Sequence, residues 1–158
     1  MSDAQPPKRS HVSPSGRSDE MLDADEQARQ HQGVRKAHET ELIEDYVELI
    51  GDLIELKGEA RAVELAQRMG VTQATVAKMI RRLVDLKLVT SEPYRSIFLT
   101  DAGMDMAETS RARHLVVLEF LQALGVPEEV ARYDAEGIEH HVSDETLAIM
   151  QRFTDGQR

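Results

Sequence analysis

Two sets of side chains in this sequence have types and spacings that could hold a divalent metal. In ELIEDYVELI, Asp45 and Glu48 are three residues apart, so both carboxylates leave one face of a helix. In AEGIEHHV, Glu136, Glu139 and His140 stand at i, i+3 and i+4, again on one helical face. His114 precedes the apolar series Leu115, Val116, Val117 and Leu118, and so borders buried surface. Together these are four carboxylates and two imidazoles in a chain without cysteine, a hard donor set that suits Mn2+ or Fe2+. Taken singly, the carboxylates also read as solvated charge and His114 as a satisfied core histidine. Spacing leaves both readings open.

A second chemistry lies between the two sets. The segment QATVAKMIRRLVDL, read as a helix, turns Val76, Met79, Ile80, Leu83 and Leu86 inward and Gln73, Thr75, Lys78, Arg81 and Arg82 outward. Gln and Thr near a helix N-terminus can reach base edges, and Lys and Arg further along can neutralise phosphates. Tyr94 and Arg95 follow at the tip of a hairpin. Formal charge supports a nucleic-acid partner for this part alone. The chain carries −10 overall, but residues 58–100 hold 7 Lys/Arg against 4 Asp/Glu, whereas 1–57 hold 7 against 13 and 101–158 hold 5 against 12. A basic block between acidic flanks calls for a polyanion at the block and cations at the flanks.

The positioning elements follow from periodicity. Residues 1–33 are rich in Pro, Ser, Gln and Asp and poor in large apolar residues, which predicts a disordered N-terminal arm whose Lys8, Arg9, His11 and Arg17 could touch phosphate. From Val34, the residues Leu42, Tyr46, Leu49, Ile50, Leu53, Ile54 and Leu56 recur at helical spacing until Gly58. A short helix follows with Ala62, Leu65, Ala66 and Met69 as its stripe and Gly70 as its cap. The basic helix comes next, then strands at Leu88–Ser91 and Ser96–Thr100 around Glu92-Pro93-Tyr94-Arg95. Helices over about 102–124, from Pro127 to about His141, and from Asp144 to about Thr154 behind Ser143 complete the chain. Two helices at a tight turn followed by a hairpin make a winged helix–turn–helix. The expected fold is therefore mainly α: an arm (1–33), a winged helix–turn–helix DNA-binding domain (34–101), and an all-helical metal-binding and dimerisation domain (102–158).

These motifs resemble a known family. ELIEDYVELI, ARAVELAQRMGVTQATVAKMIRRL, EPYRSIFLTDAG, RHLVVLEFLQALGV and DAEGIEHHVSDET together are similar to the manganese-responsive, MntR-type branch of the diphtheria-toxin-repressor family of metal-dependent transcription regulators. The resemblance covers about 34–153, and EGIEHH is its most specific motif. It implies Asp45, Glu48, His114, Glu136, Glu139 and His140 as metal ligands. The iron-sensing branch carries Met at position 45 and Cys at position 136, so both differences replace soft sulfur by hard oxygen and favour Mn2+. Family members usually carry Glu four residues after the helix histidine; this chain has Leu118 there and Glu119 beside it, about 100° around the helix, so Glu119 is the remaining candidate for a second ion. The resemblance further implies one or two Mn(II) per chain, a homodimer on a palindromic double-stranded operator, repression of manganese uptake genes, and no SH3-like third domain, with Fe(II) as the alternative effector.

Several classes are excluded. No run approaches the ~18–20 apolar residues of a membrane span, and the N-terminus lacks the apolar core of a secretory signal, so a cytoplasmic protein without membrane contact is expected. The absence of cysteine removes disulfide frameworks and thiolate zinc sites. A carboxylate-bridged metalloenzyme would need paired Glu-x-x-His or His-Glu-x-x-His motifs, which are missing, so no enzymatic activity is expected. A metal-independent regulator with merely solvated acidic clusters is the remaining rival.

Overall fold

The computed structural model describes residues 23–92 and 95–157. Six helices and one hairpin follow in the order α1 (Ala24–Lys57), α2 (Ala62–Met69), α3 (Gln73–Asp85), β1 (Val89–Ser91), β2 (Ile97–Leu99), α4 (Asp101–Ala123), α5 (Glu128–Ile138) and α6 (Asp144–Gln157). The strands pair antiparallel, Val89 opposite Leu99 and Ser91 opposite Ile97. Ile97 also bridges Ala60, which fastens the wing to the segment between α1 and α2.

Burial separates the chain into two cores joined by α4. Tyr46, Ile50, Leu53, Leu65, Val76, Leu83 and Ile97 anchor the first, beneath the winged module. Val117, Ala135 and Leu147 centre the second, with Leu118, Leu121 and Val142 packed around them. Helix α4 contributes Ala107 to the first and Val117 to the second, and α1 packs along it. Two long helices therefore fix how the carboxylates of α1 meet the far half of the chain.

Caps set the joints. Gly58, Gly70 and Gly125 take left-handed backbone (φ 80°, 67° and 91°), which a side chain would disfavour. Thr72 accepts the Thr75 backbone N–H at 3.2 Å to start α3. Thr100 does two jobs, accepting from Gly103 N–H at 3.1 Å and donating its hydroxyl to the Lys87 carbonyl at 2.6 Å. The same residue thus caps α4 and ties it to the chain leaving α3.

The structure departs from the sequence expectations in four places. Helix α1 begins at Ala24, so residues 24–33, expected in the arm, are helical. The segment is exposed, but Ala, Gln and Arg are good helix formers, Asp25 and Glu26 complement the dipole, and Asp23 caps it. Counting apolar residues tests for a core, which an exposed helical extension does not need. The rest of the expected arm lies outside the described residues. On α1 the buried stripe is Ile43, Tyr46, Val47, Ile50 and Leu53, whereas Leu42 and Leu56 are exposed. On α3, Leu86 forms the C-cap and is exposed. Helix α5 stops at Ile138 rather than His141, so Glu139 and His140 sit in a turn. Arg113 from α4 explains that stop: its guanidinium donates to the carbonyls of Glu139 (3.0 and 3.2 Å) and Val142 and pairs with Asp144 at 2.7 Å.

Candidate metal centre and nucleic-acid interface

The buried carboxylate of Glu139 is the hub of the acidic cluster. Its side chain is 2% exposed, although it carries an ionisable group. One oxygen lies 2.6 Å from His114 Nδ1 on α4, and the other 3.4 Å from His140 Nε2. Burial pushes its carboxyl up to about 7 against the opposing pull of His114 and His140. Glu136, one helical turn earlier, reaches His114 Nδ1 at 3.6 Å. These three residues hold ligand atoms close enough to share one ion.

From α1, Asp45 meets His140 Nε2 at 3.2 Å and Glu44 meets its Nδ1 at 2.8 Å. Carboxylates at both ring nitrogens hold a proton on each, and the His140 pKa is pushed up to about 10, chiefly by Asp45 and then Glu44, against the effect of burial. Glu41, Asp45 and His140 form a second group whose ligand atoms could share an ion. Glu48 accepts a hydrogen bond from the Ser110 hydroxyl at 3.0 Å. Burial raises its pKa, with Asp52, Glu136 and His114 among the charges acting on it. Asp45, Glu48 and Glu136 line one cleft of about 580 Å3 between α1 and α5.

Five of the sequence candidates, Asp45, His114, Glu136, Glu139 and His140, are therefore linked in one chain of contacts, and Glu48 opens on the same cleft. Glu119 is half-buried on α4 and belongs to none of the possible ion-holding groups among the described residues. Sequence reading missed Glu44 and Glu41. Both lie within about one turn of Asp45, but a helix this acidic gives no signal that separates inward carboxylates from outward ones. Arg113 and Ser110 were missed as well, because their roles are contacts across 26 and 62 positions of sequence.

The donor chemistry fits a hard divalent cation. The ligand atoms that come together are carboxylate oxygen and imidazole nitrogen in a chain without cysteine, and the Met69 thioether also lines the cleft. The imidazoles are also oriented by carboxylates, as metal-ligating histidines usually are.

On the other face, Gln73, Thr75, Lys78, Arg81 and Arg82 are exposed along α3. Lys78 and Arg81 have no ion pair among the described residues. Arg82 lies 3.9 Å from Glu39, and the Thr75 hydroxyl is within 3.0 Å of Thr72 Oγ1, so these two are partly engaged within the chain. On the wing, Arg95 pairs with Glu92 at 2.7 Å, and Tyr94 lies outside the described residues. An exposed cationic helix that starts with Gln and Thr, beside a two-stranded wing, is the surface that enters a major groove.

Fold and site together define a winged-helix DNA-binding regulator with an acidic, histidine-containing site at the junction of its two cores. Comparison with known proteins agrees. The family model for the N-terminal DNA-binding domain of iron-dependent repressors matches residues 38–97, and the model for their metal-binding and dimerisation domain matches 100–156. The chain belongs to this iron-dependent (diphtheria-toxin-repressor) family, and within it to the MntR type. It is 51% identical over 135 residues to the transcriptional regulator MntR of Escherichia coli O6:H1, covering 85% of this chain and 87% of that one. It is 37% identical over 123 residues to MntR of Geobacillus thermodenitrificans, covering 75% and 87%. A solved manganese-dependent transcriptional repressor in complex with manganese superposes with TM-score 0.65 at 30% identity, covering 72% of this chain and 52% of that one. The chain thus spans about half the length of that solved relative. The protein is a transcriptional regulator. Among the described residues no helix is long and apolar enough to cross a membrane.

Proposed function

We propose that the chain is a cytoplasmic, homodimeric, Mn(II)-activated repressor of manganese uptake genes that binds a palindromic double-stranded operator. The observation that carries this reading is the buried Glu139 carboxylate between His114 and His140, with Asp45 of α1 on the far side of His140. Asp45 and Glu48 belong to the DNA-binding part, taken as ending at residue 101. His114, Glu136, Glu139 and His140 belong to the dimerisation part, taken as residues 102–158. A bound Mn2+ would supply positive charge where four carboxylates otherwise repel, and join the two parts. His140 would hold the ion as a neutral imidazole, so binding would require it to release a proton. Arg113 holds the turn that carries Glu139 and His140 in place. Once the α1 carboxylates are fixed to that turn, the two recognition helices of a dimer have one spacing, suited to major grooves about one helical turn apart. Glu119 stays outside this site.

Manganese is favoured over iron by the oxygen-rich set and by the likeness to the solved manganese-dependent repressor. The test is a titration of DNA binding against free Mn2+, and separately Fe2+, using the region upstream of a manganese transporter gene from the same genome. The expected result is tight binding at micromolar Mn2+ that a chelator abolishes. Equal binding with metal and with chelator would sink the reading in favour of a metal-independent regulator.

A further inference from the structure

His38, Glu41 and His141 form a cluster that the reading above leaves unused. His38 and Glu41 are one helical turn apart on α1, and His141 lies in the turn after α5. A single oxygen, Glu41 Oε2, lies 3.1 Å from His38 Nδ1 and 3.3 Å from His141 Nε2. The two rings meet edge to face with centroids 4.9 Å apart, and one ligand atom from each residue lies within 4.8 Å of the others. Zn2+ takes imidazole nitrogen and carboxylate oxygen at ~2.0–2.2 Å in tetrahedral geometry, which puts neighbouring ligand atoms about 3.3 Å apart. The two separations measured to Glu41 are those of adjacent ligands around one ion.

We propose that His38, Glu41 and His141 form a separate site for a borderline divalent cation, with Zn2+ as its ligand. Two imidazoles to one carboxylate make this set richer in nitrogen than the cluster around Glu139, and imidazole suits zinc. Three protein ligands leave a fourth position for water, the arrangement of an open zinc site. All three side chains reach solvent, which supplies an entry path. An ion there would join α1 to the turn after α5, the same two segments that the manganese reading joins. The regulator would then sense zinc through two imidazoles that the manganese reading does not use, with Glu41 as the one ligand that also neighbours Asp45 and His140.

The test uses the full-length protein dialysed against Zn2+ alone, with bound zinc per chain counted by elemental mass spectrometry. Wild type is expected to retain one Zn2+ more than His38→Gln and one more than His141→Gln, however many ions the Glu139 cluster takes. Replacing Zn2+ by Co2+ should give wild type an additional visible absorption of four-coordinate cobalt that His38→Gln lacks. His38 is exposed, so its variant should keep the wild-type circular dichroism. Equal zinc retention in wild type and His38→Gln overturns the proposal. A loss confined to His141→Gln does so too, since it would report disturbance of neighbouring His140. Failure of the manganese reading shows separately, as DNA binding that ignores Mn2+.

Discussion

At the scale of single residues, His140 is the most consequential. Both ring nitrogens face carboxylates, and its pKa stands near 10 rather than 6.5. A group whose folded pKa is raised contributes stability that is complete below the unfolded value and is lost as pH climbs through the folded one. Glu139 acts in the same direction over a lower window, since its carboxyl is raised from 4.5 to about 7 and folding therefore takes up protons there. The metal-free protein should accordingly lose thermal stability as pH rises from 6.5 to 10, with His140 as the main contributor. Thermal midpoints in chelator across that range check this for wild type and His140→Gln. The variant's profile should be flatter, and parallel profiles would mean that His140 is not charged as its neighbours suggest.

Among the elements, the joint between the wing and α4 is the tightest. A Cβ on Gly103 would stand 2.1 Å from the Leu88 carbonyl oxygen and 3.3 Å from Leu99 Cδ2. Backbone cannot rotate away as a side chain can, so Gly103→Ala should cost on the order of 1–3 kcal/mol or more. Gly33, on the exposed start of α1, has nothing within 4 Å of its would-be Cβ. Gly33→Ala should gain up to ~1 kcal/mol from helix propensity. Urea unfolding of the two variants measures the contrast, and similar midpoints would refute the packing argument. The recognition helix makes a second prediction. Lys78→Ala or Arg81→Ala should weaken operator binding and reduce the slope of log K against log salt by about 0.9 for each phosphate that goes unneutralised. An unchanged affinity and slope would mean that α3 does not face DNA.

For the whole molecule, exposed apolar surface points to a partner chain. Leu115, Leu124, Ile149 and Phe153 all remain open on the helical half, although Val116, Leu118, Leu121, Ile138 and Val142 are packed into its core. Among the described residues the second core is centred on three buried side chains, Val117, Ala135 and Leu147, so the half is thin without cover. A symmetric dimer is the simplest cover, and a palindromic operator requires one. Sedimentation should show a dimer at micromolar concentration, and Leu115→Glu with Ile149→Glu should shift it to monomer. A wild-type monomer would remove the dimer from the proposed mechanism.

What could be read from sequence followed from short-range rules. The helix order, the wing, the glycines that end the first two helices at 58 and 70, and the Ser143 cap each depend on a few neighbouring residues, and they appear where expected. The charge division and the outward face of α3 were legible for the same reason: periodicity along one helix needs no knowledge of the others. Length of helix was less so, because residues 24–33 are held by propensity and capping without a core to mark them. The candidate ligands were legible as residue types, but spacing could not bring them together. Helix α1 carries Glu41, Glu44, Asp45, Glu48 and Asp52 within about three turns, and nothing local says which of these meets a histidine nearly a hundred positions away. Only the packing of α1 along α4, with Arg113 stopping α5 at Ile138, sets Asp45 and Glu44 on opposite nitrogens of His140 and leaves Glu41 to His38 and His141. Such contacts depend on the relative placement of rigid elements, which is a property of the assembled cores and not of any segment.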